Sequence, residues 1–315
     1  MIRRPEIRKD YIQDKYVIIA PRRGKRPRLV RKPEQPRPSL KDSIFSPQNI
    51  NSTQALYTVG PKNNWRIKVV PNKFPAVSVS NPKAYGRQEV IIETPNPRPE
   101  LHQLSVKNIA ELLKTYGLRA DELVKDKKIQ YILTFKNAGG GSGASLMHSH
   151  SQIFASDFIP PHLLDKSQKL QEYKIRTGRC IYCDIIKKEI KGPRKVYADK
   201  HVVAFTPYAS MYNYECWIMP LRHHDNISVL DHEEYYAWAK ILKHLLKKVD
   251  TLKLAYNYYL HRVINDNDQH VYMKIVPRGE IWGGVEIGSG VVINPIDPDE
   301  AAKYYRRGLN KRSSK

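Results

Sequence analysis

One order of segments occurs twice along the chain, and no other feature limits the possible folds as strongly. In the first half, Arg66-Ile-Lys-Val-Val-Pro and Glu89-Val-Ile-Ile-Glu read as strands. Residues 105–116 place apolar side chains at helical spacing behind Ser105, a helix-capping residue. A third strand over 128–135 leads into Gly139-Gly-Gly-Ser-Gly and then His148-Ser-His150-Ser-Gln152. The second half repeats the order with strands near 196–197, 201–205 and 215–219, a helix over 231–249 capped by Asp231, a strand at 255–260, a polar turn and His270-Val-Tyr-Met-Lys. The pattern predicts an α+β fold of two related lobes, residues 1–175 and 176–315, each a mainly antiparallel sheet with one packed helix. Under this pairing His148 corresponds to His270, His150 to Tyr272 and Gln152 to Lys274.

The rest of the composition narrows the class. No apolar run approaches the roughly 18 residues of a membrane helix, and no apolar stretch follows the charges at the start, so neither a membrane span nor a secretory leader is expected. Three cysteines do not make a bridged secreted scaffold, and a cytoplasmic protein is expected. Lys and Arg number 54 against 31 Asp and Glu, a formal charge of +23. Such a field attracts nucleic acid, but equally nucleotides and sugar phosphates, and the charge is dispersed along the chain.

His148, His150 and Gln152 alternate along an expected strand and so share one face. Glycines 139, 140, 141 and 143 with Ser142 and Ser145 precede them, a composition that lets backbone N–H groups approach an anion. Neutral imidazole is a competent nucleophile toward phosphorus at pH 7. Gln152 can donate a hydrogen bond to a phosphoryl oxygen but cannot protonate a poor leaving group. The set therefore favours transfer between phosphates over hydrolysis.

A second constellation is Cys180-Ile-Tyr-Cys183, His223-His224 and His270. Two thiolates at this spacing with two distant histidines fit a closed, structural Cys₂His₂ zinc site, with either His223 or His224 as a ligand. The same spacing also occurs in redox pairs, although no βαβ context surrounds it. Cys216 lies on an apolar strand and reads as core.

These residues resemble the histidine-triad superfamily and, within it, the galactose-1-phosphate uridylyltransferase branch, over nearly the whole chain. The segment from Asp14 through Arg22-Arg23-Gly-Lys-Arg26-Pro27 resembles the branch's N-terminal motif, Val70-Pro-Asn72-Lys-Phe-Pro its uridine-side segment, and Asn137 through Ser145, His148, His150 and Gln152 its active-site motif. The resemblance implies that His150 is the nucleophile and that Gln152 steadies the nucleotidylated histidine. It further implies that Ser145 and Asn137 contact phosphate or ribose, that Arg23 and Arg26 meet the nucleotide phosphates, and that Asn72 and Glu286 bind substrate. It selects His223 over His224, giving one structural zinc held by Cys180, Cys183, His223 and His270. It implies a homodimer acting on nucleotide sugars and sugar 1-phosphates.

The chain also departs from the branch. Ser43 and Ser46 stand where many members have a first-lobe CxxC, and Pro97 stands in place of a loop histidine, so no metal is expected there. Tyr272 occupies the nucleophile's position in the second lobe, which is expected to be silent. In the late motif Glu286 is kept, but Val292 stands in place of the glutamine of hexose-recognising members, and the stretch resembles more closely that of relatives that act on ADP-glucose with phosphate. The expected activity is UDP-glucose:hexose-1-phosphate uridylyl transfer by a ping-pong route. An ADP-glucose phosphorylase or related adenylyltransferase is the nearest alternative. A non-catalytic nucleotide- or RNA-binding protein is the alternative from another class.

Overall fold

The computed structural model describes residues 4–25, 36–50, 53–61 and 63–309. Its elements in the first half are β1 (Glu6–Lys9), β2 (Tyr16–Ile19), α1 (Pro47–Ile50), β3 (Tyr57–Val59), β4 (Ile67–Pro71), β5 (Gly86–Ile92), α2 (Val106–Val124), β6 (Tyr131–Ala138), β7 (His150–Ser156) and α3 (Pro161–Thr177). In the second half they are α4 (Ile181–Lys191), β8 (Lys195–Ala198), β9 (Val202–Phe205), β10 (Cys216–Pro220), α5 (His232–Thr251), β11 (Tyr256–Val263), β12 (Met273–Pro277), α6 (Gly284–Ser289), β13 (Val292–Asn294) and α7 (Pro298–Arg306).

The repeat read from the sequence becomes one ten-stranded sheet in the order β3-β4-β5-β7-β6-β11-β12-β10-β9-β8. Each half contributes five strands in the same internal order, and the halves join edge to edge through the antiparallel pair β6–β11. At the junction Phe135 pairs with Tyr259; Gln152 lies opposite Phe135, and Lys274 lies opposite Tyr259. Gln152 and Lys274 thus occupy equivalent points about a pseudo-twofold axis, and two residues earlier His150 and Tyr272 do the same.

Side-chain alternation along the strands then sorts the residues between two faces. One face carries Ile153, Tyr258, Ile275 and Ile218 in a single apolar core with Ile109, Leu112, Leu113 and Tyr116 of α2 and Trp238, Leu242, Leu245 and Leu246 of α5. Each such fully buried side chain contributes about 1.5–3 kcal/mol. Both helices start at polar caps: Ser105 Oγ accepts from Asn108 N, and Asp231 and Glu234 form a reciprocal capping box. Helix α2 runs eight residues beyond its expected end. It passes a glycine, Gly117, where a Cβ would lie 2.7 Å from Ser228 Cα, so the missing side chain permits close packing.

The opposite face carries Gln152, Phe135, Tyr259 and Lys274. In the second half this face is covered by α3 and α4, whose Leu170, Tyr182, Ile185 and Ile186 pack on Phe205, Trp217, Met219 and Tyr272. The sequence pattern did not reveal α3, α4 or the small sheet β1-β2-β13, in which β13 adds in parallel to β2. No helix among the described residues is long and apolar enough to cross a membrane.

Candidate active site and metal centre

Strand β7 begins at His150, so His148 sits in the approach to the strand and not within it. His148 is buried with both nitrogens engaged: Nε2 is 2.7 Å from the Thr94 carbonyl and Nδ1 is 2.6 Å from Ser43 Oγ. A carbonyl only accepts, so Nε2 holds the proton and Nδ1 accepts from the serine. The His148 carbonyl in turn accepts from His150 Nδ1 at 2.8 Å. That bond fixes the His150 tautomer and leaves the Nε2 lone pair without a hydrogen-bond partner among the described residues. Phe45 meets both rings edge-on, at 5.9 Å from His148 and 5.3 Å from His150. Burial lowers the pKa of His150, favouring the neutral imidazole.

The orientation of Gln152 follows from its neighbours. Phe74 N donates to Asn72 Oδ1 and Ala76 N donates to Gln88 Oε1, both at 2.9 Å, so the amide nitrogens of Asn72 and Gln88 must point the other way. They donate to Gln152 Oε1 at 3.3 and 3.4 Å. The Gln152 NH₂ group is therefore turned outward as a donor on the face that carries His150. Asn72 is brought beside Gln152, as is Gln88, which the sequence reading did not single out.

On the junction side, Asn257 Nδ2 donates to Asn137 Oδ1 at 2.7 Å and to the Ser142 carbonyl at 3.0 Å, tying the glycine loop to the second half. Gly139 and Gly143 hold φ of +82° and +85°, conformations that L side chains rarely adopt. Ser145 stands exposed in this loop.

Beneath β7 runs a buried ionic network. Lys136, 1% exposed, lies 2.8 Å from Glu93, 2.9 Å from Glu100, 2.9 Å from Ser149 Oγ and 3.3 Å from the His150 carbonyl. Arg37 closes it with bonds of 2.8 Å to Glu100 and 2.9 Å to the Met147 carbonyl. Ser151 bonds to Glu93, and Tyr116 bridges Ser151 to Tyr258 of the second half. Burial alone would lower the pKa of Lys136, but Glu100 and Glu93 outweigh it and raise it. Two cations thus balance two carboxylates around residues 147–151. Alternation along β6 told only that Lys136 faces away from Asn137; its carboxylate partners lie far away in the chain.

Arg23 and Glu286 are not joined to His150 by any hydrogen bond among the described residues. Glu286 accepts from Gly283 N at 2.9 Å, and backbone hydrogen bonds, with a smaller contribution from the Arg23 charge, lower its pKa. Arg26 lies outside the described residues.

The second constellation assembles from three elements. Cys180 caps α4, Cys183 lies in its first turn, and His223 and His270 flank β10 and β12; their donor atoms all fall within 4.8 Å of one another. Cys183 Sγ is 3.6 Å from His223 Nδ1 and 3.8 Å from His270 Nδ1. Tetrahedral zinc with ordinary bond lengths would place S and N about 3.6 Å apart. The far nitrogens face the carbonyls of Asn267 and Pro220 at 3.3 and 2.9 Å, the orientation that metal-bound histidines use. Hydrogen bonding from Cys183, against burial and aided by His270, lowers the Cys180 thiol pKa. His224 turns away toward Glu234 at 3.6 Å.

Residues 2–160 match the family model for the galactose-1-phosphate uridyl transferase N-terminal domain. An ADP-glucose phosphorylase from Arabidopsis thaliana is 30% identical over 96% of this chain and 92% of its own length. A galactose-1-phosphate uridylyltransferase from Thermotoga maritima is 28% identical over 96% of this chain and 98% of its own. A crystal structure of the Arabidopsis ADP-glucose phosphorylase with bound ADP-glucose superposes with a TM-score of 0.85 at 29% identity, covering 96% of this chain and 99% of that one. The chain is an enzyme that belongs to the galactose-1-phosphate uridyl transferase family.

Proposed function

We propose that this protein is a ping-pong nucleotidyltransferase acting on a nucleoside diphosphate glucose through His150. The observation that carries the reading is the hydrogen bond from His150 Nδ1 to the His148 carbonyl, which presents a neutral Nε2 lone pair beside the outward NH₂ of Gln152. Nε2 attacks the α-phosphorus; the N–P bond forms as the P–O bond to glucose 1-phosphate breaks. The positive charge on the nucleotidylated ring rests on Nδ1–H, already held by a carbonyl. Gln152 and Ser145 donate to the phosphoryl oxygens, and Asn72 orients Gln152. A second phosphate then attacks, the N–P bond breaks, and His150 returns neutral without exchanging its Nδ1 proton.

Two donor–acceptor pairs follow from the relatives. Uridylyl exchange between UDP-glucose and galactose 1-phosphate is the reaction of the uridylyltransferases. Phosphorolysis of ADP-glucose is the second reading, and one observation favours it: Val292, where hexose-recognising members have glutamine, is 2% exposed within β13 and has no polar group to offer a sugar. Cys180, Cys183, His223 and His270 would hold a Zn²⁺ ion with no open position, fixing the start of α4 to β10 and β12. The test is intact mass after brief exposure to UDP-glucose or ADP-glucose. An adduct discharged by galactose 1-phosphate supports the first pair, and one discharged by inorganic phosphate supports the second. Absence of any adduct refutes the His150 route.

A further inference from the structure

A phosphate transferred at this site carries charge that needs a counter-cation, and the cation beneath the strand is already committed: Lys136 is locked between Glu93 and Glu100 on the opposite face. Arg23 lies in the turn that follows β2 of the small sheet, where its N–H donates to the Ala20 carbonyl at 3.0 Å. One other guanidinium is tied to the glycine loop, and it comes from the second half of the chain. Arg278 follows β12, and its N–H donates to the Ala255 carbonyl at 2.7 Å. Ala255 lies directly under the loop, where a Cβ on Gly139 or Gly141 would come within 3.0 or 3.3 Å of the Ala255 Cβ. The Arg278 side chain is exposed, and its Nη1 lies 3.4 Å from Asn257 Oδ1, the amide that binds Asn137 and the Ser142 carbonyl through its other end. Among the described residues no carboxylate lies within ion-pair distance of it, whereas Arg119, Arg194 and Arg262 each hold one at 2.6–2.7 Å. A guanidinium fork without a carboxylate partner, fastened to a glycine loop, suits an oxyanion, and phosphate is the oxyanion that the transfer reading brings to this site.

We propose that Arg278 is a phosphate-binding residue of the transferase site, holding the phosphate that departs with the sugar in the first step and that of the acceptor in the second. This rests on the nucleotidyl-transfer reading above. The second half of the chain would then supply a substrate contact even though its own histidine-strand position carries no nucleophile.

The experiment compares Arg278→Met, Arg278→Lys and, as a remote charge control, Arg176→Met with the unaltered protein. Discharge of the His150 adduct is followed against inorganic phosphate and against galactose 1-phosphate. The expected result is an acceptor KM raised about 10- to 100-fold in Arg278→Met, with a smaller change in kcat, partial recovery in Arg278→Lys and none of these effects in Arg176→Met. An acceptor KM within twofold of the unaltered protein in Arg278→Met overturns the proposal. If the unaltered protein forms no adduct, the transfer reading has failed by itself. Calorimetric titration with glucose 1-phosphate then tests Arg278 separately: lost binding in Arg278→Met supports the phosphate role, and equal binding overturns it. An unchanged melting midpoint in Arg278→Met separates either result from misfolding.

Discussion

His150 and Tyr272 stand at equivalent points of a duplicated sheet, and their surroundings differ in kind. Around His150, the polar groups orient one another so that a lone pair and an amide donor are left over. Around Tyr272, the space is filled. Its ring stacks on Trp217 at 4.8 Å, its hydroxyl accepts from Lys166 Nζ at 2.6 Å, and Tyr182 closes over it. Lys274, in the place of Gln152, is paired with Glu215 at 2.9 Å. The buried lysines nearest the two positions also differ in their partners. Lys136 has two carboxylates; Lys166 has a phenol, and burial pushes its pKa down to about 7. The difference shows how a duplicated fold can treat equivalent positions unlike: helices α3 and α4 turn the second into core, while the first keeps its polar groups.

The largest effect is expected at the reactive position itself. His150→Ala should abolish the nucleotidyl adduct and reduce turnover at least about 10⁴-fold, read by intact mass and steady-state assay. Adduct formation in that variant would erase the distinction between the halves.

Next in size is Lys136→Met, which leaves Glu93 without a cation among the described residues while Glu100 keeps Arg37, and should cost about 3–5 kcal/mol in chemical denaturation. Lys274→Met should cost less, because Glu215 keeps bonds from Met211 N, Tyr212 N and Trp217 Nε1. Equal losses would show that the two buried lysines are not differently supported.

The candidate metal-binding group lies in the second half alone among the described residues. Cys183→Ser should lower bound zinc from about one per chain to near none by elemental analysis, and depress the melting midpoint by several degrees. Adduct formation at a temperature where the variant stays folded should persist. Loss of the adduct there would couple the halves more tightly than their geometry implies.

Lys166 gives a pH test. Its folded pKa is depressed below the unfolded value of about 10.5, so the unfolded chain binds the extra proton between those values. Stability from this group therefore falls as pH drops from about 10 toward 7. The difference in melting midpoint, Lys166→Met minus unaltered protein, should be more positive at pH 7 than at pH 9.5. A pH-independent difference would mean that Lys166 has a charged partner after all. The smallest effect is expected from Tyr272→Phe, which should leave turnover within about twofold.

The repeat, its helices and its histidine strands were legible because they are local: apolar spacing, caps and turn residues announce themselves within a dozen positions. The residues of the metal group were legible too, since CxxC and histidine are scarce and chemically distinctive. Helices α3 and α4 escaped notice although Pro161 opens α3 and a left-handed Gly178 ends it: neither helix has a side-chain N-cap, and α3 carries a buried lysine among its core-facing residues. The split expected near residue 175 falls in the last turn of α3, which packs on the second-half strands.

By itself, then, the sequence determined the duplicated α+β order, singled out the histidine strand proposed as reactive and named the four residues of the candidate metal-binding group. Only the tertiary structure decided that the two halves share one sheet through β6 and β11, and that His148 acts through its carbonyl while Ser43 and Thr94 hold its ring. It also brought Lys136 to Glu93 and Glu100, and Arg278 and Asn257 to the glycine loop. The physical reason is range. Propensity and alternation act over a few residues, whereas hydrogen bonds and ion pairs depend on distances in space that only the folded chain sets.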